Sequence, residues 1–508
     1  MALGNITLPQ TPIDSTVQEG LAQTNFTPIL PYMVYQDDVS GLYHFKLILE
    51  VRLDSAAGTL LAKIKQRRNG YFPDLANKEA RALFDIKDIM NDFLGPTVYD
   101  QNDSGTPPYR SIHTIGANTP AKPFSKSGDI KRGTFQICKY YVKAYQEYSE
   151  DRGVSPTENS TTNVDDTGYV TQIKRNLFMR RGGATAVQES SMTWALSSVQ
   201  MFLSDVSVGQ GFSGEQYLFG WNIRNYIKEN DYHTLAFVND STTFTLTAGA
   251  SRIYVEYYDE TDTQIPVAVG QDDWLENEIA TGGFPPSTVS TNSARLLYVG
   301  VGPKNLEEQS ANVYLRPSAY SGWKYYRVKA ANVSGASITT YSTYFIKDEE
   351  CTKYKTRRLA WRNSYGAYDY YNFTMKNTES IEVSRENYNS LLGEFNETAY
   401  YYNGLDRGVN TSRVHAKVKE TLQTNWILPG HQNPDSNSVA SGYPVGYSQI
   451  MQSLFTSDEV YMIENSDTPH TIPVVVTNNT FQRKTRANDN TFQYTVNIEY
   501  ANPLNTNS

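Results

Sequence analysis

Cysteine is nearly missing from this 508-residue chain, with Cys138 and Cys351 the only two. A chain long enough to bury large apolar cores does not depend on disulfide staples, so a cystine-held mini-domain is excluded. Both thiols read as reduced, buried or half-buried side chains. Histidine is also scarce. His44, His113, His233, His415, His431 and His470 are the whole set, and none of them lie at the i, i+2 or i, i+4 spacing that lets neighbouring side chains share a metal ion. No metal site and no cofactor are expected.

Long apolar runs are lacking and mean hydropathy is -0.53, so no membrane span is expected. The opening residues, MALGNITLPQTPIDSTV, carry neither the basic nor the apolar region of a secretory leader, so export is expected by another route, such as cell lysis. Positive charge is in deficit as well: 45 Lys and Arg against 54 Asp and Glu give a net charge of -9. Backbone phosphates need clustered positive surface, so no nucleic-acid partner is expected. The short basic groups Lys174, Arg175, Arg180 and Arg181, and Lys353, Lys355, Arg357 and Arg358, read as solvated strand edges.

Motifs of reaction chemistry fail one by one. The run Gly211-Phe212-Ser213-Gly214 lacks the second glycine position of a nucleophile elbow. Gly300-Val301-Gly302-Pro303 follows a predicted strand but has no Lys-Ser/Thr to hold phosphate, so it reads as a strand end and turn. Asp100, Asn102 and Ser104 before Gly105 begin like a calcium loop, yet Ser111 stands where the bidentate Glu belongs, which favours an Asx-type turn. Acidic residues suited to glycoside cleavage have no sequence spacing that singles out a pair. The chain therefore reads as a non-enzyme with no catalytic residue.

What is abundant is tyrosine, 38 residues. Its apolar ring and polar tip suit half-buried strands and protein–protein contacts. Strand text is plentiful too. Residues 43–53 alternate Tyr43, Phe45, Leu47, Leu49, Val51 and Leu53 against His44, Lys46, Glu50 and Arg52, with Ile48 the exception. Further strands are predicted within 133–148 and at 233–238, 252–258, 295–301, 322–329 and 339–347. Residues 354–362 and 369–375 form a hairpin turning at Gly366, and 472–476 and 492–500 are further strands. Two short helices are predicted: one over Ile86–Leu94, capped by Asp85 and stopped by Gly95-Pro96, and one carrying Tyr447, Ile450, Met451, Leu454 and Phe455. The polar segment 149–168 reads as a surface loop or exposed tip.

The fold class expected is mainly β, with several immunoglobulin-like or β-sandwich domains in series and a few short helices. The expected divisions are a β-domain over 1–125, a β-domain with a long loop and an insertion over 126–230, a sandwich over 231–378 ending in the 354–375 hairpin, and a C-terminal β-domain over 379–508 with a helix at 446–455. No 20–50-residue repeat, heptad or collagen period argues for a fibrous shaft.

The hairpin LAWRNSYGAYDYYNF, 359–373, resembles the W-x-N-x-x-G-x-x-D-Y-x-x-F signature of structural proteins of tailed bacteriophages, including marine and crAss-like ones. Trp361, Asn363, Gly366, Asp369, Tyr370 and Phe373 carry that match. Residues 447–501 are similar to the same proteins in order: a short helix, an SPEVY-like strand, here Ser457-Asp458-Glu459-Val460-Tyr461, a Pro-Val-x-Val-Thr strand and a closing F-Q-Y-T-x-x-I-E-Y-A strand. The stretch Phe84–Leu94 adds a weaker likeness.

The resemblance implies a tail-associated virion component, at a neck, tail or baseplate, assembled in the host cytoplasm with other virion proteins; the general preference for closed assemblies adds the expectation of a homo-oligomeric ring. The residue reading leaves two other classes open. One is a receptor-binding adhesin that docks host surface glycans through exposed aromatics such as Tyr400, Tyr401 and Tyr402. The other is a tail depolymerase.

Overall fold

The structure is a computed structural model. It describes residues 6–7, 24–26, 32–36, 39–53, 58–67, 80–86, 89, 112–114, 130–132, 137–159, 172–180, 223–239, 252–269, 271–276, 295–308, 313–332, 334–337, 343–348, 353–363, 366–395, 398–401, 404–426, 447–464, 470–478, 480, 484–486 and 491–502. The fold is mainly β. Among the described residues α-helix is confined to the short Pro303–Glu308 and Tyr447–Thr456 and to Ile89. The chain groups into two compact units, Met1–Asp348 with Asn363–Tyr368, and Glu349–Arg362 with Asp369–Ser508.

The first unit holds two sandwiches. In one, a sheet ordered Thr24–Phe26, Gln172–Arg180, Ile137–Ser149, Tyr43–Leu53, Leu60–Arg67 shares a core with a sheet of Ile6–Thr7, Tyr32–Gln36 and Ala80–Phe84. The alternation of the Tyr43–Leu53 strand does the work expected of it. Phe45, Leu47, Leu49 and Val51 meet Val34, Ala80, Ala82 and Phe84 across the core, each burial removing roughly 1.5–3 kcal/mol worth of apolar surface from water for the larger side chains. The even residues of that strand face a lattice of charges. Lys63 reaches Glu158 at 2.5 Å, Lys65 reaches it at 2.8 Å and also pairs with Glu147, and Lys46 reaches Glu147 at 3.0 Å. Tyr145 donates to Glu50 at 2.6 Å. Its burial, then the neighbouring carboxylate, holds that phenol far above its usual range. The first part of the polar segment 149–168 is an exposed turn, but Thr157–Asn159 returns as a strand on Ile137–Ser149; residues 160–168 lie outside the described ones. Of the helix expected over 86–94, only Asp85, Ile86 and Ile89 bear on the described residues.

The second sandwich is immunoglobulin-like. One sheet is ordered Ile223–Ile227, Thr343–Lys347, Tyr325–Ala331, Arg252–Tyr258, Trp274–Glu276, with its first pair parallel and the others antiparallel. Thr234–Asn239 and Arg295–Gly300 pair in the facing sheet, extended by Ile130–Arg132. Of the seven strands from 223 to 347, the second and fifth in chain order thus lie opposite the third, fourth, sixth and seventh, the division of a variable-type immunoglobulin domain. Tyr320 donates to the Tyr314 carbonyl at 2.5 Å just before the sixth strand, in the place of that fold's tyrosine corner. No disulfide joins the sheets; Leu235 and Val328 pack there among Tyr257, Trp323, Tyr326 and Phe345.

Tyrosine is used more deeply here than half-burial would require. Tyr257 stacks on Tyr320 at 4.3 Å and donates to the Leu315 carbonyl at 2.7 Å, and Tyr326 donates to the Val301 carbonyl at 2.7 Å. Each hydroxyl satisfies a backbone carbonyl that the packing would otherwise strand. Gly302 is obligatory in this unit, because a Cβ there would collide with the backbone of His233 and Asp231.

The second unit is built on an antiparallel sheet ordered Tyr368–Phe373, Arg357–Arg362, Val460–Glu464, His470–Val476, Thr495–Tyr500, Val409–Gln423, Thr378–Asn389. Its two edge strands are consecutive in the chain, joined by residues 374–377. Six strand spacings of about 4.8 Å cannot be bridged flat by four residues spanning about 14 Å, so the sheet curls back on itself. Asn377 donating to the Lys355 carbonyl and Thr374 to Asn425 tie the curl.

Three expectations are corrected in this unit. The 354–375 hairpin does not close the 231–378 segment; Arg358–Trp361 pair with Val460–Ile463 of the C-terminal sheet, because their side chains are apolar or paired on both faces. The closing strand is interrupted at Tyr494, whose amide donates to Thr424 Oγ1, so Thr491–Gln493 pairs with Lys484–Arg486 and only Thr495–Tyr500 enters the large sheet. Arg357 and Arg358 are buried, while Lys353 and Lys355 are exposed as expected.

The charge lattice of the first sandwich makes a pH prediction. Hydrogen bonds from Lys63 and Lys65 hold the Glu158 carboxyl down to about 2, below the unfolded value near 4.3. Its contribution is therefore complete above about pH 4.3 and is lost as pH falls toward 2. Replacing Glu158 with Gln is expected to lower stability by about 0.5–1 kcal/mol at neutral pH, a magnitude suited to a partly exposed ion pair. Thermal melts of wild type and E158Q, separated at pH 7, should converge toward pH 2.

Candidate functional site

The residues of the resemblance are scaffold. Trp361 is fully buried and donates from Nε1 to Ser453 Oγ on the Tyr447–Thr456 helix at 2.7 Å. Helical spacing there buries Met451 and Leu454, so the helix and the strand are fastened by packing plus one indole bond. Asn363 closes the hairpin turn: its amide donates to the Ala367 carbonyl at 2.8 Å, and its Oδ1 accepts the Ala367 amide at 3.1 Å. Gly366 sits at φ 81°, a conformation that costs a side-chain-bearing residue about 1 kcal/mol or more. Asp369 and Phe373 are buried, Phe373 packs edge-on to Tyr371, and the Arg358 guanidinium lies 5.1 Å over the Tyr370 ring. All six signature residues lie in one hairpin.

Around the same strand lies a charged cluster that sequence reasoning missed. Arg357, buried, holds Glu420 with two bonds, Nε to Oε2 at 2.8 Å and Nη2 to Oε1 at 2.6 Å. It also reaches Glu464 at 3.1 Å and Glu379 at 3.4 Å. Tyr500 donates to Glu420 at 2.7 Å, and burial followed by that carboxylate pushes its phenol strongly up. Glu379 and Glu420 stand directly opposite one another on paired strands, a like-charge pair that would be destabilising without the shared guanidinium.

Past that cluster the last two strands run out as an exposed arm. Every side chain of Thr378–Asn389 is exposed, and Val409–Gln423 is buried only from Ala416 onward. Neither strand was read from the sequence, although Val414, Ala416, Val418 and Leu422 alternate in the second. Nine of the 17 exposed large hydrophobic residues among those described fall within residues 381–409, Ile381, Val383, Tyr388, Leu391 and Leu405 among them. Tyr400 and Tyr401 belong to this group, 54% and 59% exposed, on a small pairing of Glu394–Phe395 with Tyr400–Tyr401. The third residue of that expected trio, Tyr402, lies outside the described residues.

Of the histidines, His113 and His233 are buried and His44 is exposed. Among the described residues no three His, Cys, Asp or Glu side chains come together as metal ligands; the Asp100–Gly105 segment lies outside them. No helix described is long and apolar enough to cross a membrane. No known protein family matches this chain, and no curated protein matches it.

The Arg357 cluster predicts a non-additive mutant cycle. Arg357→Met alone should cost about 3–5 kcal/mol, because it leaves Glu420 buried and unpaired. Arg357→Met with Glu420→Met should recover most of that loss. Denaturant unfolding of the three proteins, followed through the C-terminal unit, measures the difference.

Proposed function

We propose that this chain is a structural subunit of a tailed-bacteriophage virion, a neck, tail or baseplate component that assembles in the host cytoplasm with symmetric copies of itself and other virion proteins, and that catalyses nothing. The observation carrying this reading is the exposed arm, residues 378–423. A monomeric soluble protein rarely leaves a long strand open on one edge while concentrating apolar side chains along the same hairpin, since such surface invites association. In an assembled particle that surface is what neighbours cover.

The phage-like signatures support the reading, and the part their residues play here is consistent with it. Trp361, Gly366 and Phe373 hold a hairpin in shape and present no reactive group. The sandwiches supply rigid bodies of the kind from which repeated shells and tubes are built.

A receptor-binding role has one observation in its favour, the exposure of Tyr400 and Tyr401 side by side, since aromatic faces can stack on sugar rings. Specific retention of the protein on host cells, lost in Tyr400→Ala/Tyr401→Ala, would favour that role over purely internal assembly.

Peptide mass spectrometry of purified particles together with a cryo-electron map of their tail region is the test. The structural reading expects the chain at fixed stoichiometry in symmetric density. Its absence from particles, or turnover of a host polysaccharide by the isolated chain, would contradict it.

A further inference from the structure

The Thr378–Asn389 strand closes the order of its sheet, with one side paired to Val409–Gln423 and the other open among the described residues. Pairing to its neighbour is regular from Thr378 to Glu386, and the register shifts only between Glu386 and Asn387. The open side of that nine-residue run therefore offers outward amides and carbonyls at every second residue.

A partner strand lying antiparallel must set outward-facing residues against outward-facing residues. When the partner is a second copy on a two-fold axis, only registers that pair odd residues with odd and even with even satisfy this. The register centred on Glu382, the midpoint of the regular run, places Glu379 against Arg385 and Ile381 against Val383, each twice by symmetry. One face of the joint then reads charge, apolar, apolar, charge, with every cross-strand pair complementary. Centring on Ile381 sets Glu379 against Val383, and centring on Val383 sets Ile381 against Arg385, so both lose the match. On the opposite face of the joint Glu382 meets its own copy, and there Lys419 of each chain is already paired with it. Ile381 and Val383 are exposed at 54% and 41%, and among the described residues Arg385 has no ion pair.

We propose that two copies of the chain join antiparallel through residues 378–386, about a two-fold axis at Glu382, with Glu379–Arg385 and Ile381–Val383 as the specifying pairs. This goes beyond the virion reading, because an isologous contact links two copies and does not itself close a ring.

The test uses the full chain in sedimentation at rising concentration, with far-ultraviolet circular dichroism to verify folding. Wild type should self-associate, and Ile381→Lys/Val383→Lys or Arg385→Glu should weaken association about tenfold or more. Glu379→Arg combined with Arg385→Glu should restore it. Because Glu379 also touches Arg357, a fold defect in that double variant is answered by a second measurement: Glu382→Cys should be captured as a dimer by a short bismaleimide, well ahead of Asn389→Cys. A monomeric wild type, association indifferent to the arm variants, or equal capture at both positions overturns the proposal. Detection of the chain in particles is unaffected by any of these outcomes, so the virion reading stands or falls separately.

Discussion

Arg357 is the hinge of charge on which the C-terminal unit depends. Its two bonds to Glu420, with Glu379 and Glu464 at its other nitrogens, allow acidic residues of three different strands to converge at one buried cation. Without that cation the curled sheet would bring carboxylates together in a poorly solvated place, where mutual repulsion is strongest. With it, the base of the long hairpin is fixed, and the remainder can extend away from any core of its own.

Two sheet edges in this chain show opposite treatments of the same physical problem. Leu60–Arg67 ends its sheet with Lys63, Lys65 and Arg67 spaced along one face, and the two lysines are tied to Glu147 and Glu158. Charges so placed discourage another strand from docking. Thr378–Asn389 instead carries Ile381 and Val383 at its middle, flanked by one acid and one base. An edge of that composition favours selectivity, since its charges oppose an arbitrary strand and match one whose charges are reversed in order.

Much of the fold could be read where one face of a strand or helix is buried within this chain. Arg252–Tyr258 was legible because Ile253, Val255 and Tyr257 all enter one core, and Tyr447–Thr456 because its apolar residues recur at helical spacing. The hairpin turn at Gly366 was legible from glycine alone. Thr378–Asn389 was not, since a strand exposed on both faces has no burial to imprint a period on its residues; its partner Val409–Gln423 does alternate, but only in the half that reaches the core. Arg357 and Arg358 misled for a related reason: a basic run says nothing of which distant carboxylate, here Glu420, sixty-three residues on, will pair with it. The break at Tyr494 was hidden too, because unbroken alternation cannot reveal that the Thr424 hydroxyl captures one amide of the run.

What assembly is proposed to complete is the open edge of Thr378–Asn389, which has no pairing strand on that side among the described residues. Hydrogen exchange at the amides of residues 378–386, compared between dilute protein and the assembled state, addresses it most directly. Fast exchange is expected at alternate, outward-facing amides in dilute protein, with strong protection of those same amides on assembly. Unchanged exchange along this strand, with protection appearing only elsewhere, would contradict it.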